Sequence, residues 1–232
     1  FRFVSKTSLG TFMQKNVSMD ETIWGLYNAE VYSDWLTSHI RRQGLGDLTT
    51  DFKSIYAYEG PLGKKDYRWD SWFGTYDRSG NTVDILVKIM GPVSDTTSLN
   101  TSYSGGPYLG TSMVRIPEMY YIMAECDPDP QSSAEILDMV RFKRGIASSD
   151  ATDGGKGYDE PDTREGFDSG HTRRINEVMR EYLKEYYGEG QLFYFYKRHN
   201  YVTFANCSLV DVRTKYQFPL PENEDMFGIT GK

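Results

Sequence analysis

The sequence predicts a mainly α-helical protein, a scaffold of paired helices that carries long loops and one small β-hairpin. Three observations predict it. Residues 175–187 hold an unbroken apolar stripe at helical period, and residues 116–145 read as two helices joined by a proline turn. Residues 51–80 are aromatic and repeatedly broken by glycine, and they run into an alternating segment at 83–89.

In chain order, residues 1–17 carry weak signals. Ser18 with Glu21 has the form of a capping box that would start a helix, while Ile23, Trp24, Leu26 and Tyr27 equally suit a short buried strand. Gly44 and Gly46 open a loop. Within 51–80 stand Phe52, Tyr56, Tyr58, Tyr67, Trp69, Trp72, Phe73 and Tyr76, interrupted by Gly60, Pro61, Gly63, Gly74 and Gly80, which argues against long helices. Ser79-Gly80-Asn81 reads as a turn. Val83, Ile85, Val87 and Ile89 then alternate with Asp84 and Lys88, the pattern of a half-buried strand that pairs with the preceding aromatics as a hairpin. Residues 91–112 are a polar loop.

Pro117 suits a first helical turn, and Ile116, Met119, Tyr120, Met123 and Cys126 follow at helical spacing until Pro128 and Pro130 stop the helix. Ser132 with Glu135 forms a second capping box, and Ile136, Leu137 and Val140 carry an apolar face to Gly145. Such a pair is the unit of tetratricopeptide-type stacks, and it needs a further helix to cover it. The segment from Ile175 is that cover. Ile175, Val178, Met179, Tyr182, Leu183, Tyr186 and Tyr187 form its stripe; Asn176, Glu177, Arg180, Glu181, Lys184 and Glu185 form a face expected to lie in water. Gly188 ends the helix, and an aromatic run follows, closing on Lys197 and Arg198.

A net charge of −7 argues against nucleic acid as a partner, because phosphate neutralisation needs a basic surface. Aromatic residues make up 15% of the chain, with 18 Tyr and 4 Trp, which fits either a binding face or the finish of a loop-rich core. Cys126 and Cys207 are too few for a disulfide framework, and their spacing leaves open whether they pair. No apolar run approaches the ~18 residues of a membrane helix. The chain opens on Phe1 rather than Met, as a processed product or a fragment does.

Several segments, in order, resemble one family. RIPEMYYIMAEC followed by ILDMVRFKRG is similar to the helical pair R-x-x-E-x-Y-L-x-x-A-E … L-N-x-V-R-x-R-x-G of SusD/RagB-type proteins. EYLKEYYGEGQLFYFYKR resembles that family's E-R-x-x-E-L-x-x-E-G-x-R-F-x-D-L-x-R, and FPLPENE its F-P-I-P-x-x-E. DETIWGLY and DYRWDSWF resemble the family's middle region. Tyr182 and Leu192 stand where the family often has Arg, and Phe195 where it often has Asp, as if tyrosine packing replaced an ion-pair network.

The resemblance implies a SusD-like α/α superhelix with tetratricopeptide-type hairpins, spanning residues 1–232 as one C-terminal region. Within it lie an aromatic subregion at 51–90 and a helical scaffold at 113–198. It implies a surface lipoprotein of the Bacteroidetes outer membrane, whose lipidated cysteine and first helical repeats belong to an N-terminal half not in this sequence. Such proteins sit on a SusC-like TonB-dependent transporter and capture oligosaccharides, or in some members peptides, without catalysis and without a cofactor.

Sugar rings lie by their C–H faces on aromatic planes while amides and charged groups take their hydroxyls. The candidate ligand-binding residues are therefore Trp69, Trp72, Tyr76, Tyr56 and Tyr58, with Asp70, Arg78 and Asn81 as polar partners. Trp72 is also a candidate for the core. Glu177, Glu181, Glu185 and Glu189 invite a glycosidase reading, but hydrolysis needs a second acid across a cleft, and these lie along one helix beside Arg180 and Lys184. His39, His171 and His199 show no ligand spacing. Asp150, Asp153, Asp159, Glu160, Asp162 and Asp168 lie in an exposed loop and do not match a calcium-binding hand. No catalytic or metal-binding residue is assigned.

Overall fold

The computed structural model describes residues 1–7, 9, 20–27, 55–56, 66–78, 80–86, 88, 110–146, 153–165, 167–204 and 207–217. These belong to two units, Phe1–Gly188 and Glu189–Lys232. In the first, β1 (Thr22–Tyr27) precedes α1 (Tyr67–Trp72), the strands β2 (Phe73–Arg78), β3 (Asn81–Leu86) and β4 (Gly110–Arg115), then α2 (Ile116–Cys126), α3 (Pro130–Lys143) and α4 (Arg173–Tyr186). The second holds α5 (Gln191–Arg198). The fold is mainly helical, as the sequence predicts.

The helical pair and its cover form as expected. Pro117 sits in the first turn of α2, where its missing N–H is no loss, and α4 packs on both α2 and α3. The start of α3 differs from the expected capping box. Asp129 is the N-cap, its carboxylate accepting from the Gln131 N–H at 3.0 Å, and Pro130 opens the helix instead of merely ending the one before. Ser132 instead donates to Asp127 at 2.7 Å. The buried residues of α2 are Ile116, Pro117, Tyr121 and Ala124; Met123 and Cys126 face outward.

Thr172 caps α4, its hydroxyl accepting from the Ile175 N–H, and Gly188 follows the helix at φ +80°, a conformation only glycine adopts cheaply. Val178, Tyr182 and Tyr186 of the predicted stripe are buried. The rings of Tyr182 and Tyr186 meet that of Tyr121 on α2, with centroids 5.1 and 6.4 Å apart, a contact that adds roughly 0.5–1.5 kcal/mol beyond area burial.

The opposite face of α4 overturns the sequence reading. Asn176, Glu177, Glu181, Lys184 and Glu185 are buried, not wetted. Arginines from α1 (Arg68), β4 (Arg115) and the α3 end (Arg141, Arg144) pair with the three glutamates, Lys184 pairs with Glu181, and Asn176 donates to Asp162. Nor does tyrosine packing replace an ion-pair network: the two coexist on one helix. Among the described residues the buried charges nearly balance, with six acids (Glu21, Asp66, Asp162, Glu177, Glu181, Glu185) and seven cations (Arg68, Lys88, Arg115, Arg141, Arg144, Arg174, Lys184). Burial of so much charge is tolerable only because each group has partners.

Glu21 joins the same network. Its carboxylate accepts from the Val4 N–H and from both terminal nitrogens of Arg144, so it is no helix-capping residue. β1 settles the choice left open at Ile23–Tyr27, pairing antiparallel with β4 from Thr22↔Arg115 to Tyr27↔Gly110. It is not a buried strand, since Ile23, Trp24 and Leu26 are 41%, 54% and 49% exposed; two strands alone cannot cover their own side chains. The predicted hairpin forms from β2 and β3, registered from Phe73↔Leu86 to Arg78↔Asn81, with Gly80 at φ +88° in its turn.

The acidic loop is partly pinned. Tyr158 is fully buried, Asp162 pairs with Arg164 at 2.7 Å, and Asp159 with Arg174 at 2.7 Å. Cys126 and Cys207 are unpaired. No helix among the described residues is long and apolar enough to cross a membrane. The FPLPENE segment, His39 and Asp150 lie outside the described residues.

Candidate functional site

The aromatic subregion centres on α1 and the hairpin that follows it. Asp66 starts α1 by accepting the Arg68 N–H at 3.0 Å. The Tyr67 N–H donates to the Arg144 carbonyl at 2.8 Å, and the Tyr67 ring lies over Gly145, where a Cβ would stand 2.6 Å from it. Only glycine, at φ +93°, lets α1 approach the end of α3 this closely. From the same turn Arg68 reaches Glu181 at 3.0 Å and Glu185 at 3.3 Å, fixing α1 to the scaffold.

The C-terminal end of α4 is the second anchor. Its last carbonyls have no partners within the helix, and the negative end of the helix dipole favours cations there. The Tyr56 hydroxyl donates to the Lys184 carbonyl at 2.8 Å, while Lys88 and Arg115 donate to the Glu185 carbonyl. Lys88 also lies 4.0 Å above the Trp72 ring. The aromatic subregion thus hangs on one helix end by side chains from Tyr56, Arg68 and Lys88.

The eight predicted ligand residues separate accordingly. Tyr56 and Trp72 are 3% and 1% exposed, so their rings present no face to a ligand, which corrects the expectation for both. They belong to a core with Val4, Leu9, Phe73 and Leu86; the Trp72 indole donates to the Leu9 carbonyl at 3.3 Å. Burial pushes the Tyr56 hydroxyl well above its ordinary pKa. Trp69 is half-buried, stacked on Phe73 at 4.7 Å and 15° and meeting Tyr56 at 5.7 Å. Asp70, the next residue on α1, is exposed. The backbone of Tyr76 and Arg78 lies on β2 and that of Asn81 on β3, where Arg78 and Asn81 pair across the turn. Their side chains, and the whole of Tyr58, lie outside what the structure describes.

The glutamates of α4 have partners on every side. Glu185 accepts from Arg115 at 2.8 Å and from Arg144 at 2.8 and 3.0 Å. Glu181 accepts from Arg141 at 2.9 Å and Lys184 at 3.0 Å, and Glu177 from Arg141 and Arg164 at 2.5 Å each. Burial raises the pKa of each carboxyl. For Glu185 the charges of Arg144 and Arg115 outweigh it; for Glu181 those of Lys184, Arg68 and Arg141 do. For Glu177 it is Arg141 and Arg164, and all three carboxyls end below the ordinary range. Among the described residues no group of three His, Cys, Asp or Glu side chains is placed to hold a metal ion.

Among the described residues four exposed aromatics lie outside the ligand candidates: Phe1, Trp24 on β1, Phe142 on α3 and Tyr194 on α5, the last 64% exposed. Helical spacing places Tyr194 opposite buried Phe195 and Tyr196, a signal already present in the run QLFYFYKR.

No protein-family model matches the chain, and a comparison with curated proteins finds no match. Among solved structures, the chain is similar to the crystal structure of a SusD superfamily protein from Bacteroides vulgatus ATCC 8482. The TM-score is 0.52 and the identity 15%; the match covers 100% of this chain and 50% of that one. The chain therefore spans half the length of that neighbour. At this identity the likeness concerns the fold, and the chain has a SusD-like fold.

Proposed function

We propose that the protein captures oligosaccharides without cleaving them, at the bacterial outer membrane, for delivery to a SusC-like TonB-dependent transporter. The reading is carried by the SusD-like fold, which matches along the whole chain. It is supported by α1 and its hairpin, where Trp69 is held flat by Phe73, with Asp70 exposed beside it. A sugar ring would lie against Trp69, with Asp70, Arg78 and Asn81 taking its hydroxyls.

Binding without hydrolysis is supported by the state of the acids. A general acid needs a raised pKa, whereas Glu177, Glu181 and Glu185 are held low by arginines and are buried. The test is a binding screen of the protein against plant, host and microbial glycans, read by tryptophan emission and by sugar release. Saturable binding with no released sugar is expected. Binding of peptides but of no glycan would move the reading to peptide capture, and release of sugar by the pure protein would sink it.

A further inference from the structure

α5 carries an exposed surface that the capture site does not use. Phe195 and Tyr196 face inward, and Tyr194, Lys197 and Arg198 stand at i, i+3 and i+4 on the outward side. Residues so spaced are neighbours, with Cβ atoms about 5–6 Å apart. Tyr194 is 64% exposed, and its ring is held edge-on by Phe193, with centroids 5.4 Å apart at 83°. Phe193 is in turn held edge-on by buried Tyr216 at 5.9 Å, whose hydroxyl donates to the Tyr201 carbonyl at 2.9 Å. The exposed ring is thus buttressed by two further rings and a hydrogen bond.

The outward face of α5 carries two exposed cations, Lys197 and Arg198, in a chain whose net charge is −7, and the Arg198 guanidinium lies 5.4 Å from the Phe195 ring. An oriented aromatic face with two exposed cations one turn away fits a ring that carries its own negative charge. The ring packs by its C–H face on Tyr194, and its carboxylate lies within reach of Lys197 and Arg198.

We propose that the outward face of α5 binds acidic saccharides of the uronic acid class, which rests on the saccharide-capture reading and adds to it a second, charge-selective site. The test uses the full chain with polygalacturonate, an uncharged glucan and poly-glutamate as probes. Wild type is expected to bind polygalacturonate, and binding should weaken as salt rises from roughly 50 to roughly 500 mM. Tyr194→Ala and Lys197→Gln, both at exposed positions, are each expected to weaken it by about tenfold while thermal midpoints stay unchanged. Unchanged polygalacturonate affinity in both variants overturns the proposal. So does poly-glutamate binding as tight as polygalacturonate and indifferent to Tyr194→Ala, which would mark a merely cationic patch. Binding of uncharged glucan without polygalacturonate overturns this inference and leaves capture standing, whereas binding of no saccharide ends both.

Discussion

α4 and α5 look alike in sequence and end in opposite environments. Each alternates an apolar face with a charged one at helical period. On α5 the charged side chains Lys197 and Arg198 stay in water, while on α4 Glu181 and Glu185 are fully buried. Periodicity identifies which residues share a face; it does not say what lies against that face. The difference comes from elsewhere in the chain. α4 meets arginines from α1, β4 and α3, whereas Lys197 and Arg198 of α5 are exposed. A charged face becomes core when its countercharges are built into neighbouring elements.

The largest expected effect comes from breaking the α4 network at its centre. Glu185→Ala leaves Arg115 and Arg144 buried beside an absent carboxylate, and a loss of about 3–5 kcal/mol is expected in urea unfolding. A loss under about 1 kcal/mol would mean that the network is solvated after all.

Acid should act on the same groups. Glu177, Glu181 and Glu185 are held below the usual carboxylate range in the folded state, so in acid the unfolded chain takes up protons first. Their contribution is complete above the ordinary glutamate value of about 4.3 and is lost as pH falls below it toward the folded values. Urea midpoints should therefore stay flat from about pH 5 to about pH 8 and drop below about pH 4. Midpoints that are still level at about pH 3 would contradict the buried network.

Lys184 sharpens the comparison, because it is the weak member of the cluster. Its burial pulls its pKa down despite Glu181, and Glu181 keeps Arg68 and Arg141 without it. Lys184→Met should change stability by less than about 1 kcal/mol, in either direction. On α5, Lys197→Gln should change stability by no more than about 0.5 kcal/mol, since that side chain is exposed. A cost as large as that of Glu185→Ala would erase the distinction between the two helices.

These contrasts also explain what was legible beforehand. The stripe of α4, the stop at Gly188, the proline turn between α2 and α3 and the β2–β3 hairpin rest on local spacing, and all appear. The buried network rests on distant partners: Arg144 and Glu21 are 123 positions apart, Arg68 and Glu185 117. No local pattern announces such pairs. β1 and β4 were unreadable as a ribbon for the same reason, with Thr22 and Ser112 joined across 90 positions. Tyr56 and Trp72 look like ligand platforms because they sit among glycines. The end of α4, which takes the Tyr56 hydroxyl, and Leu9, which takes the Trp72 indole, make them core. Trp69 packs half-buried against that same core, stacked on Phe73, and Asp70 beside it is exposed.

The central claim is that ligand capture belongs to the aromatic subregion and stability to the charged core of α4. It is tested most directly by titrating wild type and Trp69→Ala with the uncharged glycan that binds best. An affinity loss of about tenfold or more is predicted, with the variant still folded and its acid profile unchanged. Full affinity in Trp69→Ala would contradict the account.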